Sequence, residues 1–94
     1  MTDVQDMVGV RLVGGPDEID GHKNVYSLTE LGGWPLPDYL AALVVMNRVA
    51  VALPRAVPPE FRQDVTYYRK VGESQLPDVL TGYMVRGATY EAVK

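Results

Sequence analysis

Along Met7–Val13 the chain reads Met-Val-Gly-Val-Arg-Leu-Val, which places Val8, Val10 and Leu12 on one face at a period of two and Arg11 on the other. That alternation predicts a strand. Gly14-Gly15-Pro16-Asp17 ends it with turn chemistry, since glycine tolerates positive φ and proline presets φ for a corner. Asp20-Gly21 marks a second turn. Asn24–Leu28 follows as a short second strand, hairpinned to the first.

The middle of the chain is harder to read. Gly32–Asp38 contains Pro35 and Pro37, which remove backbone donors and restrict the residues before them, so it predicts a rigid irregular connector. From Asp38 to Leu53 two patterns compete. Tyr39-Leu40-Ala41-Ala42-Leu43 after Asp38 suits a helical turn or short helix, with strand to follow. Val44-Val45 and Val49-Ala50-Val51 suit instead a hairpin with its tip at Asn47-Arg48. The short helix is the expectation adopted here.

Pro54, Pro58 and Pro59 bracket a loop, and Asp64–Val71 then alternates over β-branched and aromatic residues, the clearest strand in the chain. Gly72–Asp78 is polar and reads as a turn-rich loop. Gly82–Val93 reads as one bent strand or a hairpin about Arg86-Gly87. Leu36-Pro37-Asp38-Tyr39-Leu40 and Leu76-Pro77-Asp78-Val79-Leu80 echo each other, which shared local turn chemistry explains better than duplication. The expected fold is α+β but mostly β: a small antiparallel sheet or partly open barrel of four to six strands with one short helix. Residues 1–94 are expected to form a single domain, with residues 1–6 flexible.

Composition narrows the function classes. With 94 residues, 47% hydrophobic and 22% charged, the chain is globular in character but has a thin core. A formal charge of −3 offers no global attraction to phosphate backbones or anionic lipid. Absence of cysteine removes disulfides, thiol catalysis and thiolate zinc sites, and fits a reducing compartment. The start of the chain lacks a basic segment followed by an apolar one, and its longest apolar run, Tyr39–Met46, is far short of the ~20 residues a spanning helix needs. A cytoplasmic protein with no membrane contact is expected.

Candidate chemistry is sparse. The Gly14-Gly15-Pro16 loop lacks the Gly-Lys-Ser/Thr of a phosphate loop, and Pro16 removes a donor such a loop needs. Asp17, Glu18 and Asp20 do not match calcium-loop spacing and read as a solvated acidic turn. Nothing in the sequence sets Glu60 and Asp64 across a substrate. His22 is the only histidine, Ser27 and Ser74 are the only serines, and no nucleophile elbow is present, so His22 reads as an exposed turn residue. No catalytic residue, cofactor or metal ligand is expected.

The aromatic residues say more. Trp34, Tyr67, Tyr68, Tyr83 and Tyr90 fall on or beside predicted strands, with Arg69, Lys70 and Arg86 interleaved. Neighbouring strand residues point to opposite faces, so one of Tyr67 and Tyr68 serves the core while the other joins a surface with Lys70, and Tyr67 pairs with Arg69. Tyrosine, tryptophan and arginine are favoured at protein contacts, and rings also stack on single-stranded bases. The expected interaction surface is Trp34, Tyr67, Arg69 and Arg86, with Trp34 either a core plug or an exposed anchor.

Val10-Arg11-Leu12-Val13-Gly14-Gly15-Pro16 with Asp20-Gly21 resembles the opening of small uncharacterised proteins encoded by actinobacterial phages and their hosts. The match covers about residues 8–21, with a looser echo at Tyr67–Val71 and Tyr83–Tyr90. Asp17-Glu18-Ile19 departs from the tighter spacing of that group. The resemblance implies a phage or prophage accessory protein working in a host's cytoplasm on a host or phage macromolecule. Together these readings point to a non-enzymatic interaction domain that binds another protein or a copy of itself through an uncovered strand edge. The alternative is nucleic-acid binding through the Tyr67–Lys70 strand.

Overall fold

The computed structural model describes residues 7–77 and 82–93; the flexible tail expected over residues 1–6, and Asp78–Leu80 of the second echo, lie outside them. Among the described residues the strands are β1 (Met7–Val13), β2 (Lys23–Ser27), β3 (Tyr39–Val45), β4 (Arg48–Ala52), β5 (Thr66–Pro77) and β6 (Met84–Ala92). They form one sheet in the order β2-β1-β6-β5-β3-β4, curled into a half-barrel. Every neighbouring pair is antiparallel except β1 and β6, which run parallel.

The protein is mostly β, and the partly open barrel is the form realised. The helix expected near residues 38–46 is strand β3 instead. Its Leu40-Ala41-Ala42-Leu43 stretch favours a helix locally, but β3 is hydrogen-bonded on both sides, to β4 and β5, and tertiary pairing outweighs propensities of a few tenths of a kcal/mol per residue. Among the described residues the helical turns are short 3-10 pieces at Leu28–Leu31, Pro54–Ala56 and Pro59–Phe61. The β3–β4 hairpin turns at Met46-Asn47, one residue before the expected tip. Both residues have positive φ, 51° and 66°, the geometry a two-residue hairpin turn demands.

The C-terminal half differs from its expected form at two places. Gly72–Pro77 is no loop, for β5 continues through it after an irregularity between Lys70 and Gly72. No hairpin forms at Arg86-Gly87, because β6 runs unbroken through both residues, with β1 on one side and β5 on the other.

The pleat explains the core. The registers put Val8, Val10 and Leu12 of β1, Ala88 and Tyr90 of β6, Tyr68 of β5, and Leu40 and Ala42 of β3 on the concave face, and all are buried. A half-barrel leaves that face open, and Ile19, Leu31 and Leu36 from the connecting segments plug it. Tyr90 shows how a ring with a polar tip serves such a core: its hydroxyl donates to the Pro37 carbonyl at 2.6 Å. Burial, with Asp38 and Glu73 nearby, holds that phenol far above its ordinary pKa. On the convex side, residues 54–65 fold back over β3 and β4, burying Val57 beside Ala41, Leu43 and Ala52.

Candidate interaction surface

The four residues expected on one surface fall into two groups on opposite faces of the sheet. Tyr67 and Arg69 point to the convex side, opposite in phase to Tyr68 and Lys70, which turn inward. Cross-strand pairing sets Tyr39 of β3 beside Arg69, and Arg69 beside Glu91 of β6. With Ala92 and Val93 these three line an open hollow of about 230 Å³. Tyr39, Tyr67 and Val93 are 48%, 37% and 49% exposed, so the patch combines two rings and an aliphatic side chain with the exposed charges of Arg69 and Glu91. The Val93 amide donates to the Tyr67 carbonyl at 2.9 Å and holds the end of the chain against β5.

Trp34 and Arg86 form the second group. The Arg86 guanidinium lies 3.9 Å from the centroid of the Trp34 ring, and its Nη2 is 3.7 Å from Glu73 Oε2. Lys70 reaches the same carboxylate at 3.8 Å and donates to the Leu36 carbonyl at 3.3 Å. Glu73 therefore sits between two cations that pin the segment carrying Trp34, with its cis Trp34–Pro35 peptide, onto the rim of the half-barrel. Trp34 is neither core plug nor free anchor. It is a half-exposed ring stacked beneath Arg86.

The sequence reading missed Tyr39, Glu91 and Val93. Tyr39 opens a continuous apolar run, Tyr39–Met46, which shows no period of two and suits a short helix as well as a strand buried on both faces, so nothing in it placed Tyr39 on a strand surface. Sequence spacing held no signal for Glu91, since only the β5–β6 register brings it to Arg69.

The residues 14–22 loop serves structure. The Gly14 amide donates to Asp20 Oδ1 at 2.6 Å, and Gly15 lies against the Tyr68 hydroxyl. His22 is half-buried rather than exposed, and its Nε2 is buried without a hydrogen-bond partner among the described residues. Burial holds the imidazole below its ordinary pKa of 6.5. As pH falls, the unfolded chain takes up this proton before the folded one, so stability is lost on going down through 6.5 and is unaffected by this group well above it. The urea midpoint of the native protein is expected to fall between about pH 7.5 and about pH 5.5 more steeply than that of His22→Gln. Equal slopes would show that the imidazole is solvated in the folded state.

No group of three or more His, Asp or Glu side chains gathers in metal-binding geometry among the described residues. No helix among them is long and apolar enough to cross a membrane. Comparison with protein-family models, curated proteins and solved structures finds no match to this chain.

Proposed function

We propose that this chain is a non-enzymatic interaction domain whose convex face binds a protein. The observation that supports this best is the pairing of exposed Tyr39 and Tyr67 around Arg69 on a rigid three-strand platform, β3-β5-β6. Rings with few rotatable bonds lose little entropy on binding, and Tyr and Arg are the residue types that most often dominate interface energetics. The nucleic-acid alternative is less well supplied. Of the Tyr67–Lys70 strand, Tyr68 is buried and Lys70 is engaged with Leu36 and Glu73, leaving Tyr67 and Arg69 beside an acidic Glu91. The resemblance over residues 8–21 supports a phage or prophage accessory role in a host cytoplasm.

The test is capture from host lysate on immobilised protein, followed by affinity measurement with the partner retained. Tyr67→Ala and Arg69→Ala are each expected to weaken that complex tenfold or more, about 1.4 kcal/mol or above, while Trp34→Ala on the opposite rim leaves it unchanged. Equal retention by all three variants, or no partner above background, overturns the reading.

A further inference from the structure

The two outer strands of the half-barrel are not equivalent. On β2 the Val25 amide is already taken by the Asn24 side chain at 2.8 Å, and Lys23 adds a charge, two devices that keep an edge from pairing. Strand β4 carries no such cap among the described residues and reads Arg-Val-Ala-Val-Ala, with its one charge at the end.

Which β4 groups face outward follows from the hydrogen-bond phase. The Lys70 amide donates to the Asp38 carbonyl at 2.8 Å, so Asp38, Leu40 and Ala42 turn their backbone polar groups toward β5. Ala41, Leu43 and Val45 therefore turn toward β4, where they meet Ala52, Ala50 and Arg48. The two-residue turn at Met46-Asn47 requires the same phase, since its flanking pair Val45 and Arg48 closes the hairpin. Val49 and Val51 are left with N–H and C=O pointing away from the sheet.

We propose that β4 pairs antiparallel with β4 of a second copy of this chain, about a two-fold axis through Ala50. This takes up the self-association arm of the reading above. The register is chosen by the outward groups: it joins Val49 to Val51 of the partner copy and Val51 to its Val49, the two residues with free edge groups, as hydrogen-bonded pairs. It also sets Arg48 opposite Ala52, so no like charges meet, and Ala50 opposite Ala50, two small exposed side chains at the axis. Beyond the strand the same register carries Met46 alongside Leu53 and Pro54 of the other copy. Met46 is 91% exposed at the hairpin tip, and Leu53 and Pro54 border an apolar hollow of about 370 Å³ with Leu31 and Pro35. A protruding flexible apolar side chain and an open apolar hollow are thereby matched twice by one symmetry operation, which closes at the dimer.

The experiment is light scattering on the full chain over a wide concentration range, with hydrogen exchange on the same samples. The native protein is expected at twice its 10.4 kDa chain mass, with the Val49 and Val51 amides gaining protection as concentration rises. Ala50→Lys places two ammonium groups face to face at the axis and is expected to give the chain mass; Ala50→Glu does the same, and mixing the two restores the dimer mass. Circular dichroism and the melting temperature of each variant establish that the monomer still folds. A native protein that stays monomeric at every concentration, or an Ala50→Lys variant that stays dimeric, overturns the proposal. Neither result touches the convex-face reading, because Tyr67 and Arg69 lie two strands away on β5 and are tested separately.

Discussion

Gly87→Ala is expected to lose about 3 kcal/mol or more of stability, a large fraction of what a domain with so thin a core has. A Cβ on Gly87 would overlap the carbonyl oxygen, carbonyl carbon and Cα of Gly9, all backbone atoms of β1. Side chains can rotate away from such a contact. A paired strand cannot, and β1 is the strand that joins the β2 edge to the rest of the sheet. Gly9→Ala serves as the comparison, since its Cβ would meet only side-chain atoms of Leu76 and Val85 at 3.2 Å, and a cost of about 1 kcal/mol is expected. Neither glycine sits at positive φ, so without crowding alanine would stabilise both, by about 0.4 to 1 kcal/mol. The sign of the change therefore decides the matter: a urea midpoint raised by Gly87→Ala would mean that β1 and β6 do not pair in the parallel register Gly9 to Gly87.

That register also marks where the sequence stops being informative. Strand β1 was legible to the residue, because Val8, Val10 and Leu12 are buried on one face while Arg11 is exposed on the other, the condition under which a period of two survives in the sequence. Alternation also put Tyr67 and Tyr68 on opposite faces and Tyr67 with Arg69, but it did not say which ring turns inward: Tyr68 is the buried one, and Lys70 turns inward with it rather than joining a surface ring. The second half of β5 was not legible. Val71 to Gln75 are exposed, so both faces of the strand tolerate polar residues, and Gly72-Glu73-Ser74-Gln75 carries no amphipathic signal. Only the hydrogen bonds to β6 make it a strand.

The candidate site was half legible for a related reason. Residue types suited to contact could be named, and alternation could place Tyr67 with Arg69. Which other strands lie beside them depends on pairing between segments distant in sequence: Tyr39 reaches Arg69 through β3–β5, and Glu91 through β5–β6. The same long-range pairing separates Trp34 and Arg86 from Tyr67 and Arg69, residues the sequence grouped by type. The Gly14-Gly15 pair shows the complement of this, since the turn was plain in the sequence but the need for glycine at the second position was not. Gly14 has a φ of 77°, which glycine alone adopts at little cost, whereas Gly15 is required by Tyr68, more than fifty residues away along the chain.

Gly15→Ala and Tyr68→Phe are expected to behave as a coupled pair. A Cβ on Gly15 would overlap the Tyr68 hydroxyl oxygen and crowd its Cζ at 2.8 Å, so Gly15→Ala alone should cost about 2 to 3 kcal/mol through displacement of a fully buried ring or of the loop above it. Tyr68→Phe alone has the opposite expectation. Its hydroxyl is buried with no partner among the described residues, and burial with Asp20 nearby already raises the phenol pKa, so removing the oxygen relieves a desolvation cost of about 1 kcal/mol and should leave stability unchanged or higher. In the double variant the overlap with oxygen is gone and the contact with Cζ remains. The loss should then fall short of the sum of the single effects by about 1 to 2 kcal/mol, read from urea midpoints at constant m-value. Strict additivity would mean that the residues 14–22 loop does not press on Tyr68 in solution. A destabilised Tyr68→Phe would mean that the hydroxyl holds a buried water, which would make the pocket beneath Gly15 polar rather than strained.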